Sequence, residues 1–320
     1  MVSDNRTTLT LQILRLILTT LFVLTLGLAA RAQTSGPKVF STPEQAQQAL
    51  ATATRDKDVA ALRMIFGPEV KDLLSGDSVA DNKSFETFAA HLAEAGKIEK
   101  DTDTTVTLII GDDEWPFPIP LVKKGDGWSF DTKAGTEEIL NRRIGKNEIA
   151  AILTTQVYAI AQWEYFDGDD WDEDQVSEYA QKLISSPGKK DGLYWETLAD
   201  EDASPLGPLV AYARKEGYTK KPQGMAEAAN PFHGYYFKIL TRQGASAPGG
   251  KYDYIINGNM IAGFGLVAYP ATWGSSGAMT FVVNQEGRVY EKDLGPHTAQ
   301  IAAAMTEYNP DSTWTLVKDE

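Results

Sequence analysis

The apolar residues of this chain alternate between helical and strand spacing, and that alternation restricts the fold more than any motif does. Between residues 42 and 96 they recur at helical intervals. Thr42-Pro43-x-Gln45 supplies a helix cap with proline in the first helical position, and Ala46, Ala49, Leu50 and Ala53 follow on one face. Asp58 opens a second helix over 59–66, which Gly67-Pro68 stops; Phe85, Phe88, Ala89 and Leu92 mark a third, ended by Gly96. From Thr105 to Ile110 the spacing is that of a strand. A turn at Gly111-Asp112-Asp113-Glu114 leads to a run from Trp115 to Val122, and Gly125-Asp126-Gly127 turns into Trp128 to Asp131. Pro116, Pro118 and Pro120 lack the N–H that a ladder needs, so the middle run is expected at a sheet edge.

The helical period then returns. Ile149, Ile152, Leu153, Val157 and Ile160 form a single stripe, as an amphipathic helix presents to a core. An acidic loop from Asp167 to Asp174 follows, then a short helix expected over 176–184, ended by Ser185-Ser186-Pro187-Gly188. Residues 187–233 read as loop. Strands are expected at 235–241, 252–257, 260–269, 279–284 and 288–292, with a hairpin at Gln285-Glu286-Gly287 and a terminal helix over 298–308. A chain of 320 residues suits about two domains. The expectation is α+β: residues 38–135 as a small cone-like unit, residues 136–320 as a helix on an antiparallel sheet.

The first thirty residues differ from the rest. Arg6 and Arg15 precede an apolar run from Leu16 to Ala30, and Ala30-Arg31-Ala32 has the small-x-small pattern of a signal-peptidase site. Residues 1–32 are therefore expected to be a signal peptide removed after Ala32. The mature chain is expected in the periplasm or outside the cell, with no stable membrane insertion. The chain has no cysteine, which excludes disulfides, thiolate nucleophiles and Cys-ligated metals. With 30 basic against 44 acidic residues, a net charge of −14, it is a poor partner for nucleic acid.

Three segments carry a family resemblance. They are "RRIGKNEIAAI", "EYAQKLISSPGKKDGLYW" and the long stretch "GYYFKILTRQGASAPGGKYDYIINGNMIAGFGLVAYPATWGSSGAMTFVVNQEGRVYEKDLG". Through them the chain resembles an uncharacterised bacterial family, domain of unknown function 2950, over nearly all of its mature length. The resemblance implies exported proteins with no established activity. The opening "TPEQAQQALATATRDKDVAALRMIF" is similar to proteins of the nuclear-transport-factor-2-like superfamily, which implies their cone-shaped fold for the first unit. The order from Asn147 to Leu294 resembles the globular head of type IV pilins and pseudopilins. The prepilin cleavage site and its glutamate-bearing hydrophobic helix are missing, so the resemblance implies no polymerisation by that route.

The acidic loop is the first candidate site. Asp170, Asp172 and Asp174, with Glu178, place hard oxygens at alternating positions, as calcium requires. Glu173 and Gln175 stand where calcium loops carry glycine, and a solvated acidic loop is the plain alternative. Ser186-x-x-Lys189 matches the string of penicillin-recognising serine enzymes, but Pro187-Gly188 forbids the helical turn that would bring Lys189 to Ser186. Gly263-x-Gly265-x-x-Ala268 lies in a strand and leads to Tyr269-Pro270, not to a helix, so its small residues are expected to let another element approach the sheet. His91, His233 and His297 have no metal-binding spacing. Trp171 and Trp195, in polar loops, are the expected exposed aromatics and candidates for a ligand or partner surface; "DGLYW" and "SPLGPLVAY" can instead be docking segments anchored by Trp195 and Leu206.

These features point first to a non-catalytic envelope protein that binds an envelope protein or polymer, with calcium steadying the 170–178 loop. A carboxylate-dependent hydrolase of an envelope polymer, using Asp170 or Glu178, is the main alternative. A structural part of a pilus- or secretion-related assembly is the third.

Overall fold

Helix starts follow the caps read from the sequence. The computed structural model describes residues 36–73, 78–94, 96–168, 176–197, 201, 203–218 and 231–318. Thr42 Oγ1 accepts from Gln45 N at the start of α1 (Pro43–Arg55), and Asp58 accepts from Ala60 N and Ala61 N at the start of α2 (Val59–Phe66). Gly67 ends α2 at φ +80, a conformation that favours glycine. A 3₁₀ turn over Pro68–Leu73 leads to α3 (Ser78–Glu94). Ala46, Leu50, Ile65, Phe66 and Leu92 from these helices are buried against an antiparallel sheet.

That sheet comprises β1 (Gly96–Lys100), β2 (Thr105–Ile110), β3 (Trp115–Pro116), β4 (Leu121–Lys124) and β5 (Gly127–Phe130), in the order β1-β2-β4-β5. The proline run does not form one edge strand. β3 and β4 both pair with the same side of β2 and are separated by Phe117–Pro120. The prolines break the ladder there, so β3 is a local edge while β4 is enclosed by β2 and β5. β1, which the sequence reading missed, is a polar strand with only Ile98 turned inward.

A single helix of 36 residues, α4 (Thr132–Asp167), joins the two halves. Asp131 caps it through Ala134 N, and Thr132 Oγ1 donates to Phe66 O at 2.7 Å. The boundary expected between 135 and 136 therefore falls inside one continuous helix. Its first turns pass over the first sheet so closely that a Cβ on Gly135 would lie 2.8 Å from Ile119 Cα. Further along, it covers a second sheet.

The second sheet contains β6 (Tyr235–Leu240), β11 (Gly265–Pro270), β12 (Met279–Asn284), β13 (Tyr290–Asp293) and β15 (Thr315–Leu316), in the antiparallel order β15-β13-β12-β11-β6. Alternate residues serve opposite faces. Leu266, Ala268, Phe281 and Val283 lie in the core beneath α4; Val267, Tyr269 and Val282 pack with Ala302 and Tyr308 on the other side. That side is covered by α6 (Thr298–Ala304) and a small sheet of β7 (Arg242–Gln243), β8 (Tyr252–Asp253) and β14 (Glu307–Tyr308). The terminal helix is thus shorter than expected, and its last predicted turn is β14. A hairpin of β9 (Ile255–Ile256) and β10 (Asn259–Met260) and the short α5 (Gly207–Lys215) complete the elements. Among the described residues no helix is long and apolar enough to cross a membrane.

Two expectations are corrected here. The stripe at 149–160 does not face the core as a whole. Ile152 and Val157 pack against it, but Ile149, Leu153 and Ile160 are 62%, 56% and 67% exposed. The buried face is made of Ala151, Thr154, Thr155, Tyr158, Ala161, Gln162 and Tyr165. Its small residues admit the helix close to a sheet buried on both faces, and its polar groups bond to backbone. Tyr158 OH donates to Gly265 O at 3.1 Å, and Glu148 Oε1 accepts from Ala278 N and Met279 N. Residues 176–184 are likewise not a helix. Gln162 Nε2 donates to Ala180 O at 2.9 Å while its Oε1 accepts from Ala180 N at 2.8 Å, and Tyr179 N donates to Met260 O. The backbone groups that a helix would satisfy internally are satisfied by α4 and the β10 hairpin instead.

Candidate functional site

A concavity lies where the two halves meet along α4. It has a volume of about 660 Å³. α4 contributes Arg142, Arg143, Lys146 and Asn147; α3 contributes Lys83, Phe88 and His91; β3 adds Trp115; Tyr218, His233 and Tyr236 close the far side. Two carboxylates, Asp81 and Glu216, lie among these groups. The cleft therefore carries four permanent cations and two histidines against two acids, on a protein whose net charge is −14.

Arg142, Arg143 and Lys83 are each held differently. Arg142 Nε pairs with Glu138 at 2.7 Å, its Nη1 donates to Pro116 O at 3.3 Å, and its guanidinium stacks 5.1 Å over Trp115. Arg143 donates from Nη2 to Leu73 O; burial lowers its pKa, against a smaller opposing effect of Asp81. Lys83 is bound to Glu216, and that hydrogen bond holds the Glu216 carboxyl below its ordinary range. Asn147, buried, donates to Ser276 O at 2.9 Å and anchors the floor. His91 Nδ1 lies 3.7 Å from Asp113. His233 sits at φ +45 beside Phe232 and Tyr218. Such a site attracts an anion by charge and offers aromatic faces beside it. Of its two carboxylates, Glu216 is held in the ionised form by its bond to Lys83.

The residues singled out from the sequence fall elsewhere. Asp170, Trp171, Asp172 and Asp174 lie outside the described residues. Glu178 is described: its Oε2 accepts from Met260 N at 2.8 Å and from Gln181 Nε2 at 3.4 Å, which ties the segment after the acidic loop to the β10 hairpin. Among the described residues no three His, Asp or Glu side chains gather as a metal-holding group. Trp195 is not an exposed contact. It is 8% exposed, packs edge-on to Tyr165 and sits under Lys190, while Leu206 is 1% exposed. The docking-anchor alternative for this segment matches its geometry: Ser204 Oγ donates to Trp195 O, and Leu206 N to Leu193 O.

Ser186 meets a lysine, but it is Lys182. Lys182 Nζ lies 2.8 Å from Ser186 Oγ and 2.6 Å from Asp191, while Ser186 Oγ donates to Asp191 Oδ2 at 2.9 Å. Burial alone raises the Asp191 pKa, but the bonds from Lys182 and Ser186 outweigh it and hold the value at about 2. Ser186 N also donates to Asp191 Oδ1 at 2.7 Å, so Lys182, Ser186 and Asp191 clasp the ends of this turn together. Gly263 and Gly265 admit Tyr254; a Cβ on Gly263 would meet that ring at 3.0 Å. Of the histidines, His91 and His233 reach the cleft and His297 does not.

The cleft is what the sequence reading missed. Its one local signal is Arg142-Arg143-x-x-Lys146, basic residues one helical turn apart on an acidic chain. The residues that face them come from segments far away in sequence, which no spacing rule unites.

No curated protein and no solved structure matches the chain. A family does, over residues 37–317, almost all that lies beyond the first apolar segment. The chain belongs to the family described as protein of unknown function DUF2950.

Proposed function

We propose that this chain is an exported, non-catalytic binding protein of the bacterial envelope, and that the cleft along α4 takes a carboxylate-bearing segment of an envelope polymer or protein. The carrying observation is the reversal of charge: a net-negative chain that gathers Arg142, Arg143, Lys146 and Lys83 around one aromatic-walled cleft. Low-dielectric walls focus that local field. Export rests on the apolar run from Leu16 to Ala30 and on Ala30-Arg31-Ala32. The first unit, helices against an antiparallel sheet, is read as cone-like, and the second, a long helix on an antiparallel sheet, as pilin-head-like. Calcium at Asp170, Asp172, Asp174 and Glu178 is retained as a proposal of its own, from the oxygen spacing alone.

The test is titration calorimetry of the chain from Gln33 onward with soluble carboxylated glycan fragments, and separately with a poly-glutamate peptide. Binding to one probe, weakened roughly tenfold or more by Arg143→Ala and diminished by salt, supports the reading and names the class. No heat with either probe, or binding indifferent to both Arg143→Ala and Arg142→Ala, overturns it. Edman sequencing of protein recovered from the periplasm or medium should start at Gln33.

A further inference from the structure

The outward face of α4 carries an unusual combination. Ile149, Leu153 and Ile160 are each more than half exposed, and Trp163 is 43% exposed. Such residues scattered singly would need no explanation, but these lie in one line at spacings of 4, 7 and 3 on a single helix. The same line is charged at its ends with opposite signs. Lys146 precedes it, and Glu164 and Asp167 follow it, all exposed.

We infer that this face is the contact of a two-fold dimer, in which α4 packs antiparallel against α4 of a second copy. The polarity of the stripe selects that partner. The midpoint of Lys146 and Glu164 is residue 155, and the pairs Ile149–Ile160 and Leu153–Gln156 are centred beside it. A two-fold axis there places Lys146 against Glu164 of the second copy, Ile149 against Ile160, and Leu153 against Gln156. Every contact occurs twice, as an isologous interface requires. A parallel pair would instead set Lys146 on Lys146 and Glu164 on Glu164. A lipid surface is a poor occupant, because Glu164 and Asp167 lie on the line and the chain is net negative. The spacing of 149, 153, 156, 160, 163 and 167 is the 4-3 repeat of packed helix pairs. One helix pair buries less than the roughly 1,200 Å² of a standard stable interface, so the dimer is weak, with a Kd in the micromolar range or above.

The absence of native cysteine makes the register directly testable. Ile149→Cys and Ile160→Cys variants of the chain from Gln33 onward would be mixed at high concentration and treated with a short bis-maleimide. A covalent dimer from the mixture, and little from either variant alone, is the expected result. Crosslinking of Ile149→Cys with itself but not with Ile160→Cys would overturn the antiparallel arrangement. Sedimentation equilibrium from about 1 to 500 μM should show a monomer–dimer equilibrium for the unmodified protein. Leu153→Lys should remain monomeric throughout with unchanged circular dichroism, since the side chain supports no core. Glu164→Lys should raise Kd roughly tenfold, and Lys146→Glu combined with it should restore the original value. A monomer at every concentration in the unmodified protein, or a dimer insensitive to Leu153→Lys, refutes the inference.

Discussion

Gln162 is the residue whose replacement most directly probes how the irregular segment over 176–184 is pinned to α4. It is fully buried on α4 and makes three hydrogen bonds: Nε2 to Tyr158 OH and to Ala180 O, both at 2.9 Å, and Oε1 from Ala180 N at 2.8 Å. Gln162→Leu keeps the volume and removes the polarity. Tyr158 OH retains its bond to Gly265 O, but the N–H and C=O of Ala180 are left buried without partners. Each orphaned group costs about 1–3 kcal/mol, and burial of the leucine side chain returns about 1.5–3 kcal/mol. The midpoints leave a net loss of about 2 kcal/mol, which lowers Tm by roughly 4–8 °C for a protein of this size. Differential scanning calorimetry reads that shift, and hydrogen exchange at the Ala180 amide reads its location. Gln162→Glu adds a sign. A buried glutamate has a raised pKa in the folded state, so its penalty is present at high pH and is relieved as pH falls through that pKa. The variant should therefore be less destabilised at pH 4 than at pH 8. If Gln162→Leu leaves Tm within about 1 °C of the parent and the Ala180 amide stays protected, the pinning argument is wrong.

Further outcomes follow from other sites. Asp191→Asn should cost about 1–2 kcal/mol at neutral pH, the depression of the carboxyl pKa to about 2 being discounted for partial exposure. The stabilisation is complete above the ordinary aspartate pKa and disappears as pH falls toward 2, so urea unfolding of the two proteins should converge in acid. Glu291 has a raised pKa, first from burial and then from Glu148, so the ionised form is the strained one. Glu291→Gln should raise Tm at pH 7.5, with the gain shrinking as the parent glutamate becomes protonated in acid. Gly135→Ala should destabilise by about 1–3 kcal/mol despite its better helix propensity, because its Cβ would press on Ile119 backbone; a stabilised variant would mean that α4 can lift from the first sheet. Calcium at 100 times its Kd would add about 2.7 kcal/mol to folding stability; an unchanged Tm in millimolar calcium and in chelator would remove the acidic-loop proposal.

Sequence by itself determined the local structure of this protein. Caps at Thr42 and Asp58, the stop at Gly67, the strands at 105–110 and 279–284 and the turns between them depend on contacts within a few residues, which a linear reading contains. The α+β class follows from those elements. Tertiary structure decided everything that depends on which surfaces meet. It turned Ile149, Leu153 and Ile160 outward, because a sheet buried on both sides accepts the small and hydrogen-bonding face of α4 more closely than an aliphatic one. It held 176–184 as an irregular segment, because Gln162 and Met260 satisfy the backbone from outside. It buried Trp195, which a loop-rich setting marks as exposed in a linear reading. It also assembled the basic cleft, whose cations come from α3 and α4 and whose far wall comes from beyond residue 216. Periodicity records the face that a segment offers; the face that is taken depends on the shape and free hydrogen-bonding groups of the partner, which no segment encodes alone.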